Sequence, residues 1–226
     1  MPTTTSPSRA RTRSGSAPRR PARRGRSRAR ARTRRRRIAA VLAAAVVGGF
    51  ATALATGLGP LGDAVREITL PLRHEDIIRQ QAADKGIDSS LIAAVIYEES
   101  RFRDQTSRAG ARGLMQITPA TADLIARESG GTQFTQADLA TPQVNIAYGS
   151  YYLHYLLDRY EGDAELAVAA YNAGPTQVDQ WVEDAGGVDD FEADEHIPYP
   201  ETRTYAGNVL EREREYRKDY ADELGL

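Results

Sequence analysis

The apolar positions of this chain follow two regimes. Every residue from Ile38 to Gly62 is uncharged, and Ala, Val, Leu and Gly dominate the run. As a helix, its denser part from Ile38 to Leu58 is about 32 Å long, enough for a hydrocarbon core of roughly 30 Å. From His74 onward the apolar residues instead recur at helical spacing, and the alternation of a strand hardly occurs. Ile77, Ile78 and Ala82 mark one helix before Gly86, and Asp88 or Ser89 caps the next, rich in apolar residues from Leu91. Thr118 followed by Pro119 is an N-cap with proline in the first turn. Residues 143–159 place Ile146, Tyr152, Leu153, Leu156 and Leu157 on an amphipathic helix, and further helices are predicted over 163–171, 175–183 and 199–222. The expectation is an all-α domain over 74–226, long enough to bury about 68–70% of its unfolded surface without staples. Between run and domain, Gly59, Pro60, Gly62 and Pro71 punctuate helix, so 59–73 reads as a short linker.

Charge turns this pattern into a topology. Residues 1–37 carry 15 arginines and no acid, which leaves 15 bases against 31 acids downstream. Arg34, Arg35, Arg36 and Arg37 abut the apolar run, and the positive-inside rule holds such a segment in the cytoplasm. The expected layout is a disordered arginine-rich cytoplasmic segment (1–37), a signal-anchor crossing the membrane once (38–58), and an extracytoplasmic domain. The rival is secretion after cleavage at a site such as Ala53-Leu54-Ala55, although signal-peptide apolar regions usually run about 7–15 residues. The arginine density suits anionic lipid or nucleic-acid phosphate, but no interleaved aromatic or folded motif supports specific nucleic-acid binding. The absence of cysteine excludes disulfides and thiolate metal sites. His74, His154 and His196 are far apart, and no metal-ligand spacing is visible. The acidic run 184–195 lacks the alternation of a calcium loop and reads as solvated surface.

The candidate chemistry lies at the end of the helix that begins near Leu91. Turning about 100° per residue from Ile92, Glu99 falls at about 340°, inside the apolar stripe, and Glu98 at about 240°, on its edge, where a solvated carboxylate is easier to accommodate. A carboxyl among apolar groups, near backbone carbonyls that disfavour negative charge, has a raised pKa and can donate a proton at neutral pH. The spacing equally allows a structural glutamate paired with Arg101 or Arg103.

Four motifs occur in order after that: Glu99-Ser100; Ser107-Arg108-Ala109-Gly110-Ala111-Arg112-Gly113-Leu114-Met115-Gln116-Ile117; Ala170-Tyr171-Asn172-Ala173-Gly174; and Glu201-Thr202-Arg203 with Tyr205. Together they resemble the soluble-lytic-transglycosylase-type catalytic domain, a lysozyme-like fold, over about 74–215. Pro142, Asn145, Ile146, Gly149 and Leu153 resemble the family's helix between its second and third motifs. The resemblance implies that Glu99 is the single catalytic acid/base and that Gln116 lies on a turn lining the glycan cleft. It also implies that Tyr171 points at the scissile region, that Glu201 supports it, and that Ser107 contacts sugar. Met115 and Tyr171 each fit either that cleft or the core, and Asn172 either substrate binding or a turn. Gly110 and Gly113 read as backbone requirements of a tight loop. One departure is Thr118, where relatives often carry methionine.

Ordinary glycosidases use two carboxylates, and the resemblance implies one. The implied reaction is non-hydrolytic cleavage of the β-1,4 bond between N-acetylmuramic acid and N-acetylglucosamine in peptidoglycan, giving 1,6-anhydro ends with neither metal nor cofactor. A hydrolytic muramidase, a peptidoglycan-binding module without catalysis and a chitinase-like enzyme are the competing functions.

Overall fold

The computed structural model describes residues 60–129 and 134–226, together with Val41, Ala44, Gly48 and Gly49. The arginine-rich segment and almost all of the predicted membrane span lie outside the described residues. Among those described, no helix is long and apolar enough to cross a membrane. One compact unit covers Asp63–Leu226.

Among its described residues the regular elements are all helices, with isolated bridges only at Thr106, Arg112 and Ile117. The helices are α1 (Pro60–Thr69), α2 (Glu75–Lys85), α3 (Ser89–Ser100), α4 (Pro119–Ser129), α5 (Pro142–Arg159), α6 (Ala164–Ala173), α7 (Pro175–Ala185), α8 (Ala193–His196), α9 (Pro200–Asp219) and α10 (Ala221–Leu224). Local sequence accounts for most of their ends. Asp88 caps α3 by accepting from Ser90 N at 2.8 Å, and Thr118 caps α4 by accepting from Thr121 N at 3.1 Å. Asp163 does the same for α6 through Leu166 N at 2.9 Å. Pro142, Pro175 and Pro200 open α5, α7 and α9, where a missing N–H costs nothing.

The core forms around α3, against which α9 packs along much of its length while α2 covers another side. α6 joins α9 to α5. Every residue from Leu91 to Tyr97 is buried. α3 therefore has no solvent-facing stripe, in contrast to the amphipathic wheel drawn from its sequence. A helix apolar all round belongs inside, and its neighbours decide how its polar C-terminal end is treated.

The segment expected to be a linker is instead structured. Pro60–Thr69 is helical, and the stretch that follows is held to the domain by three phenols. Tyr97 donates to Thr69 O at 2.9 Å, Tyr220 to Leu70 O at 2.7 Å and Tyr216 to Pro71 O at 2.6 Å. Leu70 is buried, and the Arg66 guanidinium lies 4.6 Å from the centroid of the Tyr220 ring. Proline at a helix start is compatible with helix, and the partners lie roughly 30 to 150 residues away in sequence, so the local signals could not reveal them. The compact unit accordingly begins near Asp63 rather than His74. In the acidic run, Val188–Asp190 is a 3-10 turn and Ala193–His196 a short helix.

Candidate active site

Glu99 occupies the last turn of α3 and is only partly exposed. Burial pushes its carboxyl up to about 7, the negative charge of Glu98 adds to the shift, and a hydrogen bond from Tyr205 opposes it. That bond is short, with Tyr205 Oη donating to Glu99 Oε1 at 2.6 Å. Tyr205 stands one turn along α9 from Glu201, and it meets Glu99 because α9 lies along α3. Arg101 stacks over Tyr97, 5.1 Å from the ring centroid, so the carboxyl's bonded partner is a phenol rather than the arginine considered from sequence.

Glu98 has a different fate. It faces Arg212 Nε at 3.6 Å, with 17% of its side chain exposed. The expectation of a readily solvated glutamate at the stripe's edge is corrected here: Glu98 is largely enclosed beside a cation. Arg212 also pairs with Glu215 and lies 5.3 Å from the Tyr97 ring centroid.

After α3 the chain turns sharply, because Arg101 and Phe102 are both left-handed, at φ 52 and 58. Two such residues in succession are uncommon and are held in place here by tertiary contacts, since Phe102 is buried against Tyr216. The loop at 105–117 then folds back. Gln105 Nε2 donates to Glu99 O at 3.1 Å, and Gln116 Nε2 donates to Gln105 O at 3.1 Å and Gly113 O at 2.7 Å. Ser107 Oγ accepts from Ala111 N at 3.0 Å.

Asn145, fully buried on α5, clamps this loop. Its Oδ1 accepts from Met115 N at 2.7 Å, while its Nδ2 donates to Arg112 O at 2.9 Å and Leu139 O at 3.0 Å. Gly113 is required at its position: φ is 77, and a Cβ would come within 2.1 Å of the Asn145 amide. Gly149 is required for a different reason, because a Cβ there would lie 2.2 Å from Met115 Sδ.

The residues singled out from sequence thus separate into groups. Glu99, Gln116 and Tyr171 belong to one hydrogen-bonded neighbourhood. Tyr171 Oη donates to Met115 O at 2.9 Å, and its phenol, like that of Tyr205, is raised well above the ordinary value by burial and by Glu99. Both hydroxyls therefore stay protonated and act as donors toward this corner. Met115 is fully buried, so its side chain is core, and the loop presents its backbone carbonyl to Tyr171 instead. Ser107 is partly exposed in the same loop. Asn172 and Glu201 are exposed and line a cleft of about 430 Å³ with Gln177 and Tyr199. Thr202 ties the two sides of that cleft together by donating to Asn172 Oδ1 at 2.9 Å. Tyr205 is the residue whose part was missed: it belongs to the fourth motif, but only helix packing shows which carboxyl it meets. Among the described residues no group of three or more His, Asp or Glu could hold a metal ion.

Fold and site define, over the described residues, a helical domain with a part-buried carboxyl, raised to about 7 and bonded to a phenol, at the end of its central helix. A family model described as "Transglycosylase SLT domain" matches residues 76–193. The chain belongs to that family. It is 34% identical over 175 residues to the soluble lytic murein transglycosylase of Escherichia coli K12, covering 76% of this chain and 27% of the relative. It is also 35% identical over 133 residues to the membrane-bound lytic murein transglycosylase C of Glaesserella parasuis, covering 50% of this chain and 36% of that protein. Among solved structures, an inactive mutant of the lytic transglycosylase Slt from Pseudomonas aeruginosa superposes with a TM-score of 0.63 at 36% identity, covering 69% of this chain and 26% of that one. A complex of the 70-kDa soluble lytic transglycosylase with bulgecin A gives the same score at 31% identity, with 70% and 26% covered. The chain spans about a quarter of the length of the soluble relatives it matches.

Proposed function

We propose that this chain is a peptidoglycan lytic transglycosylase, anchored in the cytoplasmic membrane through residues 38–58 with its catalytic domain outside. The observation that carries the activity is the Glu99 carboxyl, raised to about 7 by burial. Protonated in a large fraction of molecules at neutral pH, Glu99 gives its proton to the glycosidic oxygen between N-acetylmuramic acid and N-acetylglucosamine. As the C1–O bond breaks, the positive charge at the anomeric carbon is stabilised by the sugar's own N-acetyl group. The Glu99 carboxylate then takes the proton of the muramic C6 hydroxyl, and O6 bonds to C1 to close the 1,6-anhydro ring. The proton count balances and no water is consumed. Tyr205 holds one Glu99 oxygen by its hydrogen bond, which supports the carboxylate formed midway.

The arrangement around Glu99 favours a one-carboxylate reaction, since Glu98 next to it is engaged with Arg212. Gln116, Ser107, Asn172 and Glu201 are the proposed sugar contacts on the loop and on the cleft beside α9. Met115 contributes through the turn it stabilises. The substrate follows from family membership, and an extracytoplasmic domain is where peptidoglycan is met. Secretion after signal cleavage remains the alternative route to the same place. Mass spectrometry of digested peptidoglycan tests the reaction: products ending in 1,6-anhydro-muramic acid are expected. Ends heavier by one water mean a hydrolytic muramidase, and sugar binding without product means a non-catalytic module.

A further inference from the structure

We propose that α1 is an interfacial helix, whose exposed apolar side lies in the headgroup layer and seats the catalytic domain against the bilayer instead of at the end of a free tether. The inference rests on the anchored reading of residues 38–58. Val65 and Ile68 are 43% and 81% exposed, and Ile68 is more exposed than any other large apolar side chain in the compact unit. Three residues apart on a helix, they are neighbours on one face, to which Ala64 adds a third exposed apolar position. Arg66 lies about 160° around the helix from Ile68. It faces the domain, where Nη1 donates to Asp219 O at 2.7 Å and the guanidinium lies over Tyr220. The helix thus shows one side to the protein and its apolar side outward.

Chain connectivity names the occupant of that outward side. Pro60 is two residues beyond Leu58, where the predicted span ends, and two residues reach at most about 7 Å. A helix starting there begins at the membrane surface, and outward Val and Ile side chains gain by entering the headgroup and acyl boundary. The seat is transmitted to the catalytic helix by the phenol bonds on the carbonyls of Thr69, Leu70 and Pro71. One of those phenols, Tyr97, is two residues before Glu99 on α3.

The test exploits the absence of cysteine. The full chain carrying Ile68→Cys, labelled with an environment-sensitive fluorophore, is reconstituted in phosphatidylcholine and phosphatidylglycerol vesicles with or without a spin-labelled, quenching lipid. Ala44→Cys, within the predicted span, reports membrane insertion in parallel. Quenching by about half or more at both positions is expected, as for a residue within 5–10 Å of the headgroup boundary. Quenching at 44 without quenching at 68 overturns the inference and leaves the anchor standing. Quenching at neither overturns both. Glycan cleavage by the same labelled proteins is measured separately, so a failure of the seat is distinct from a failure of the transglycosylase reading.

Discussion

Two adjacent glutamates at the end of α3 occupy opposite electrostatic environments. On one side, Glu98 faces Arg212, which is itself bound to Glu215 and stacked near Tyr97, so charge is met by charge. On the other, Glu99 meets phenols that keep their protons, and its carboxyl rises to about 7. A single peptide unit separates a glutamate beside a guanidinium from one bonded to a phenol. Burial is common to both residues, and what differs is whether a cation is supplied. At Glu99 the hydrogen bond from a neutral hydroxyl only partly offsets desolvation, so the carboxyl stays raised. The fold thus places one of two chemically equivalent side chains beside a cation and the other beside a phenol.

The comparison can be broken most severely by exchanging the two glutamates' fates. Glu99→Gln is expected to lower peptidoglycan cleavage by about 10²–10⁴-fold or to background, measured as released muropeptides, while Glu98→Gln retains most of it. Tyr205→Phe removes the bond that favours the carboxylate, so it should raise the Glu99 pKa further. The expected result is a drop of about tenfold in rate, with the alkaline limb of the pH–rate profile moving above its wild-type midpoint near pH 7. That limb exists because the donor form disappears as pH rises through the Glu99 pKa.

The same carboxyl should be visible in stability. In the unfolded chain it ionises near 4.5 and in the fold near 7, so the folded state is penalised progressively between those values and fully above them. Holding the charge there costs up to about 3 kcal/mol. Glu99→Gln should therefore melt higher than wild type at pH 8, by several degrees, and by much less at pH 4.5, as read by calorimetry. The smallest effect is a remote one. Glu98→Gln removes a negative neighbour and should move the alkaline limb down by a fraction of a pH unit, whereas Arg212→Met exposes Glu99 to an unbalanced Glu98 and should move it up. If both variants shift the limb in the same direction, the electrostatic account of the pair is wrong.

Much of this is legible in the sequence. Caps and prolines are local devices, so Asp88, Thr118 and the prolines at 142, 175 and 200 announce their helices within a few residues. Gly113 could be recognised as a loop requirement, although the reason is the Asn145 amide above it, which comes from another helix. Glu99 could be placed in an apolar stripe by its spacing alone. Its neighbour was misjudged because a wheel knows nothing of α9, which brings Arg212 to Glu98 and Tyr205 to Glu99. Spacing does not place Met115 either, because what admits its side chain to the core is Gly149 on α5.

By itself, the order of residues determined most of the helices from Glu75 onward, that one long uncharged run precedes them, and that a carboxyl falls among apolar positions near a helix end. Tertiary structure decided which partner each of the two glutamates meets, that a tyrosine of the fourth motif holds Glu99, and that the segment before His74 docks onto the domain. The reason is one of range. Helix formation and capping act across about four residues of chain, whereas a pKa and a docking contact depend on groups that are distant in sequence and meet only when the helices pack.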